Sequence, residues 1–135
     1  MSGHASGAFD VKLAAEKIDG TPVAPLLGRM SISKTFHGPL AATSVGAMLS
    51  AGDPAAVVAV YVALETVTGS LEGRAGSFVL VHTATMDGGE RNLNITVAPG
   101  SGTGALTGLT GTMAIRIEGG QHYYDFDYAL PPKPQ

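Results

Sequence analysis

Three side chains that could exchange protons lie on two neighbouring segments in the middle of the chain. Tyr61 and Glu65 belong to the first segment and His82 to the second. If both segments are strands, Tyr61 and Glu65 share a face, because side chains alternate along a strand. A histidine base, a carboxylate that orients it and a phenol donor suit proton abstraction, isomerisation or ring closure without a cofactor. His82, Glu65 and Tyr61 are therefore the candidate catalytic residues, and no cofactor is expected.

The pairing of the two segments decides whether these side chains meet. A hairpin symmetric about Glu72 and Gly73 would place Ala63 opposite His82. Tyr61 and Glu65 would then lie on the diagonals, within reach of long side chains, whereas an unbalanced one-residue bulge would separate them. A buried glutamate resists ionisation unless a donor compensates it. A structural role stays open as well, in which the histidine and the glutamate satisfy each other and hold two strands in register.

Apolar and aromatic side chains occupy the same predicted faces as the polar trio. They would line an interior that binds a mostly apolar small molecule, although an aromatic stripe of this kind more often belongs to a core. The candidate ligand-binding residues are Phe78, Leu80, Ala63, Met86, Tyr124 and Tyr128.

Alternation of apolar and polar residues recurs along the whole chain, for example at 9–13, 93–97 and 124–130. This period of two indicates half-buried strands, and about eight such segments can be counted. The 19 glycines in 135 residues are about twice the usual share and separate the segments. No segment has a convincing helical period, although residues 14–17 could form a single turn. The sequence predicts an all-β fold, an eight-stranded antiparallel β-barrel whose lumen could hold one small ligand.

Length and composition narrow the function classes. The 135 residues suit one domain, with residues 1–130 as the barrel and 131–135 as an extended proline-rich tail. A net charge of −3 without a basic cluster argues against nucleic-acid binding. The apolar run at 55–64 is too short to span a bilayer, and the polar N-terminus lacks a signal core, so we expect a cytoplasmic protein without a membrane partner.

Metal binding is not expected. The chain has no cysteine, and its four histidines are scattered, without a His-x-His pair or a metalloprotease motif.

Residues 57–64 are apolar on both faces of the strand they would form. One face can line the lumen, so the other must be covered by a subunit or by the N-terminal segment. We expect a homo-oligomer, with the N-terminal cover as the alternative.

A near-repeat, T-G-x-L-x-G-x-x-G-S/T followed by an apolar residue, occurs at 68–78 and 103–113 and is interpreted as two equivalent barrel corners. The second copy resembles the glycine-rich hairpin of allene oxide cyclases and dirigent proteins. The whole chain resembles the bacterial family DUF3224, through the motifs at 4–7, 28–30, 36–38, 61–63, 76–80, 82 and 122–126. The resemblance implies an allene-oxide-cyclase-like barrel and no particular reaction. An isomerase or cyclase, a dirigent-like ligand-binding module and a structural oligomerising domain all stay open.

Overall fold

Eight antiparallel strands form a closed barrel in which each strand pairs with its neighbours in chain order and the last pairs with the first. The computed structural model describes residues 2–16, 28–53, 58–88 and 90–131. The predicted all-β, eight-stranded antiparallel barrel is thereby confirmed. The strands are β1 (Ser2–Glu16), β2 (Gly28–Phe36), β3 (Leu40–Asp53), β4 (Val58–Leu71), β5 (Arg74–Asp87), β6 (Glu90–Val97), β7 (Thr110–Glu118) and β8 (Gln121–Ala129).

The helical turn that the sequence allowed at 14–17 is wrong for residues 14–16. They continue β1 and pair with β2, as far as Glu16 opposite Arg29, so the strand ladder satisfies their backbone groups. Lys17 lies outside the described residues, as do residues 132–135 of the predicted tail. Where the chain is described, no helix is both long and apolar enough to cross a membrane.

The β4–β5 hairpin has the register that the sequence predicted. Its ladder runs without a bulge and places Ala63 opposite His82. Glu72 and Gly73 form the two-residue turn, with φ of 48° and 84°. Positive φ at both positions is what the hairpin turn compatible with strand twist requires, and glycine adopts it without steric cost.

The two copies of the near-repeat differ in structure, so their interpretation as equivalent corners is wrong. The first copy forms the β4–β5 turn, whereas the second contains a short 3₁₀ helix, Gly104–Leu106, and leads into β7. The copies contact each other instead. The Thr103 amide donates to the Ser77 carbonyl at 2.9 Å, and the Ser77 amide donates to Thr103 Oγ1 at 3.0 Å.

The interior changes character along the barrel axis. At one end, which we call the packed end, aromatic and aliphatic side chains fill the lumen. Along β7, Met113 is 5% exposed and Ile117, at the other end, is 63% exposed. We call that other end the open end. Among the largest fully buried side chains of the packed end are Phe9, Phe36, Phe78, Tyr124, Phe126, Leu40 and Leu71.

The barrel wall is weakest between β6 and β7. Over the described residues these strands pair only through Ile95 with Met113 and Thr96 with Thr112. β7 and β8, by contrast, pair at nine positions, from Thr110 to Glu118. Since both pairs of the β6–β7 ladder lie near the packed end, the two strands are unpaired along their open-end halves.

Candidate functional site

A buried carboxylate stands at the middle of the barrel, where the packed end meets the open end. Glu65 is 1% exposed and accepts hydrogen bonds from three strands. Lys34 Nζ of β2 lies 2.9 Å from Oε1, and Ser44 Oγ of β3 lies 2.6 Å from Oε2. His82 Nε2 of β5 lies 2.5 Å from Oε1. The four side chains, all buried, are called the Glu65 network below.

These contacts keep Glu65 ionised. Burial by itself would raise the pKa of the carboxyl group. The hydrogen bond from His82, the charge of Lys34 and the hydrogen bonds from Ser44 and Lys34 outweigh it and lower the pKa from 4.5 to about 2. Because an ionised carboxylate only accepts hydrogen bonds, His82 donates from Nε2. Its Nδ1 makes no hydrogen bond with the part of the chain that is described.

Two local features make room for this buried charge. Gly46 lies directly opposite Glu65 in the β3–β4 ladder, and a Cβ at Gly46 would come within 2.7 Å of Cα and Cβ of Glu65. Only glycine therefore fits there without moving β4. The Lys34 ammonium also lies over the Phe9 and Phe36 rings, 5.2 and 5.8 Å from their centroids. These rings attract the cation at the boundary with the packed end.

Of the predicted trio, His82 and Glu65 meet and Tyr61 lies apart. Tyr61 shares the inward face of β4 with Glu65, but four residues along a strand separate them by about 13 Å of backbone. Its side chain lines a cavity at the open end instead. Burial raises the pKa of the Tyr61 phenol, and the positive charge of Arg91 partly offsets this effect.

The cavity at the open end has a volume of about 320 Å³ and is bounded by β4, β5, β6 and β7. It lies where β6 and β7 are unpaired, so the split in the wall borders it. Its lining is mostly apolar, with a phenol, a guanidinium, a hydroxyl and an amide among the side chains. The lining residues are Ala59, Tyr61, Ala84, Thr85, Met86, Arg91, Asn92, Leu93, Ile115 and Ile117.

The predicted ligand-binding residues divide between the two ends. Met86 lines the open-end cavity together with Tyr61. Ala63 is buried opposite His82, one inward position below the cavity. The other four, Phe78, Leu80, Tyr124 and Tyr128, belong to the hydrophobic core of the packed end, and their contact with a ligand stays a prediction.

Two of those four residues also serve as structural anchors. The Tyr124 hydroxyl donates to the His37 carbonyl at 2.6 Å and accepts from the Leu40 amide at 3.0 Å, which holds the β2–β3 turn. The Tyr128 hydroxyl donates to the Glu72 carboxylate in the β4–β5 turn.

Comparison with known proteins identifies the family. A sequence model described as "Protein of unknown function (DUF3224)" matches residues 5–128. The chain belongs to the DUF3224 family. A crystal structure of a DUF3224 protein of unknown function from Shewanella oneidensis MR-1 is 49% identical, with a TM-score of 0.90 over 98% of this chain and 100% of that one. Curated proteins give no match. The resemblance to allene oxide cyclases and dirigent proteins stays a prediction.

Three polar residues of this DUF3224 chain were missed by the sequence reasoning. Alternation alone could have identified Lys34, because it lies on the inward-facing side of β2 between Ile32 and Phe36. Ser44 carries no comparable signal, since serine is common on either face of a strand. Arg91 lies on the same, inward-facing side of β6 as Ile95. Its place in the cavity depends on the split between β6 and β7, which the alternation of residues cannot predict.

Lys34→Met should destabilise the DUF3224 barrel by about 3 kcal/mol, because removing one partner leaves a buried charge short of compensation. Urea unfolding at pH 7 measures the change. Arg116→Met is the matched control. It breaks ion pairs with Asp125 and Glu118 that are open to solvent, and it should change the free energy of unfolding far less. Equal losses in the two variants would contradict the energetic role assigned to the Glu65 network.

The low pKa of Glu65 predicts how stability varies with acid. A group whose pKa is depressed by folding stabilises the fold above its unfolded pKa, near 4.5, and this contribution is lost as pH falls towards about 2. Between pH 4 and 3 the ionised group accounts for roughly 1 kcal/mol per pH unit. Urea unfolding of the wild type and Glu65→Gln should therefore give free energies that converge as pH falls. Parallel curves would show that Glu65 titrates normally.

Proposed function

We propose that the protein binds a small, mostly apolar molecule with one anionic group in the open-end cavity. The observation that carries this proposal is the cavity itself, with apolar walls on four strands and Tyr61 and Arg91 among its lining residues. Ligand sites in proteins are typically apolar clefts with a few polar groups that fix orientation, and 320 Å³ lies at the small end of their volume range.

The side chains that line the cavity narrow the chemical class of the ligand. Six of the ten lining side chains are aliphatic or thioether groups, which suits a hydrocarbon or ring system. Arg91 is exposed, so its guanidinium can meet an anionic group without losing its own hydration completely. Tyr61 can donate a hydrogen bond to the same group, and its raised pKa keeps the phenol protonated at neutral pH. A carboxylate, sulfonate or enolate oxygen fits this pair.

The split between β6 and β7 supports entry from the side of the barrel. Strands paired along their whole length could separate only by breaking ladder hydrogen bonds. Here the open-end halves of β6 and β7 are unpaired, and Leu93, Ile115 and Ile117 border both the split and the cavity. An apolar ligand can pass between these side chains while the Glu65 network keeps its contacts.

Two dyes that differ in one group test the site. The probes are 8-anilinonaphthalene-1-sulfonate and its uncharged analogue N-phenyl-1-naphthylamine, with affinities measured by fluorescence titration. Ala59→Phe should fill the cavity and weaken both dyes at least tenfold. Arg91→Gln should weaken the sulfonate about tenfold and the uncharged dye less than twofold, because only the sulfonate pairs with the guanidinium.

Ala41→Phe is the control, since residue 41 is exposed on the outer face of β3. It adds the same side chain without filling the cavity and should leave both affinities unchanged. If Ala59→Phe binds both dyes like the wild type, the cavity is not their site. If the two dyes respond alike to Arg91→Gln, the anion preference is wrong.

A cofactor-independent isomerase or cyclase is the second candidate, and the contact between His82 and Glu65 favours it. An ionised carboxylate at 2.5 Å from Nε2 fixes the imidazole tautomer and leaves Nδ1 as the basic nitrogen. His82 lies one inward position below Ala84, which lines the cavity. For catalysis, a ligand carbon with an acidic proton would have to extend below the cavity as far as His82.

Deuterium incorporation tests proton abstraction before a substrate is known. Small apolar ketones and keto acids are incubated with the protein in D₂O and analysed by mass spectrometry. Turnover by His82 would add one deuterium at an acidic carbon, and His82→Gln should abolish the exchange. His37→Gln is the control, because His37 is exposed and bonded to Asp10. Exchange that survives His82→Gln would exclude His82 as the base.

A further inference from the structure

The outer surface of the barrel is divided into a charged side and an uncharged side. On β3, β4 and β5, every outward position at 41–51, 60–70 and 75–85 is apolar or a serine or threonine. Five large apolar side chains among these positions are exposed. They are Val45, Leu49, Val60, Val62 and Leu64, and together they are called the apolar wall.

The opposite side has the usual surface of a water-exposed sheet. Arg116 of β7 and Asp125 of β8 form an ion pair there, and His4 of β1 contacts Asp127 of β8 at 2.6 Å. Charged residues thus cover β7, β8 and β1, while the outward positions of β3, β4 and β5 at 41–51, 60–70 and 75–85 carry none. This separation indicates that the two sides face different surroundings.

We infer that the apolar wall is buried against a second copy of this chain. A surface without charges can face its own copy without like-charge repulsion, even though the chain carries a net charge of −3. An acidic, basic or nucleic-acid partner would find nothing complementary on it. The N-terminal strand, the other cover that the sequence allowed, is part of the barrel wall between β2 and β8.

The shape of the apolar wall also suits self-association. Val45 and Leu64 project from it and are 67% and 59% exposed. Next to Leu64, over the small side chain of Ala47, lies a hollow of about 410 Å³ that Leu49, Val62 and Val81 also line. The projecting side chains and the hollow lie side by side on the same surface. When two copies face each other about a two-fold axis, the projecting side chains of each copy can therefore enter the hollow of the other.

The exposed area of the apolar wall suits the centre of a standard protein–protein interface. The five side chains of the apolar wall expose roughly 400 Å² of apolar surface, about half of the 800 Å² that each partner buries in a standard interface. The surrounding alanine, serine and threonine positions on the same three strands supply the remainder. A patch of this composition therefore forms the apolar centre of an interface with an uncharged rim.

The test is the mass of the protein in solution, measured by light scattering and native mass spectrometry over a range of concentrations. The wild type should have at least twice the mass of one chain. Leu64→Lys should weaken association at least 100-fold and give monomers, since it places a charge at the centre of each copy's surface. Val45→Lys serves the same purpose if Leu64→Lys does not fold, as judged by circular dichroism.

Thr112→Lys is the matched control, because Thr112 is exposed on β7, outside the uncharged side. It adds the same charge and should leave the assembly intact. A monomeric wild type at millimolar concentration would overturn the inference, and so would an assembly that survives both Leu64→Lys and Val45→Lys. Monomers that instead float with neutral phosphatidylcholine vesicles would assign the apolar wall to a lipid surface and equally overturn it.

Discussion

One ionised carboxylate inside the barrel constrains the strands around it. Glu65 needs donors from β2, β3 and β5 at once, in the form of Lys34, Ser44 and His82. A slip of one residue in any of these pairings would turn a donor to the outside and leave a buried charge uncompensated. The Glu65 network therefore specifies the register of four consecutive strands. An apolar core alone would tolerate more alternatives.

The same network divides the lumen into two ends of different composition. Below it, the rings of Phe9 and Phe36 contact the Lys34 ammonium and begin the hydrophobic core of the packed end. Above it, small residues on β4 and β5, Ala59 and Ala84, leave space that the β6–β7 split opens to the side. Neither β6 nor β7 contributes to the network. The strands free of the register constraint are thus the ones that separate beside the cavity.

Periodicity predicted the fold because apolar and polar residues alternate along most strands, and a hairpin symmetric about Glu72 and Gly73 predicted the β4–β5 register, which the structure has without a bulge. The candidate site was only partly predictable. Diagonal positions on either side of Ala63 predict that Tyr61 and Glu65 both reach His82, yet the four-residue separation along β4 places the two side chains at different depths. The depth of a side chain in the lumen and the pairing of β6 with β7 depend on how all eight strands pack. A local sequence pattern does not contain this information.

The open-end cavity and the apolar wall use opposite faces of the same strands. On β4, Tyr61 points into the cavity, while Val60 and Val62 point outwards to the apolar wall. A second copy on the outside would hold β4 and β5 in place, and the Glu65 network already holds them from the inside. Adjustment to a ligand would then fall on β6 and β7, which have the fewest ladder hydrogen bonds and no part in either contact. Assembly would thereby keep one side of the cavity rigid and leave the other free to admit the ligand.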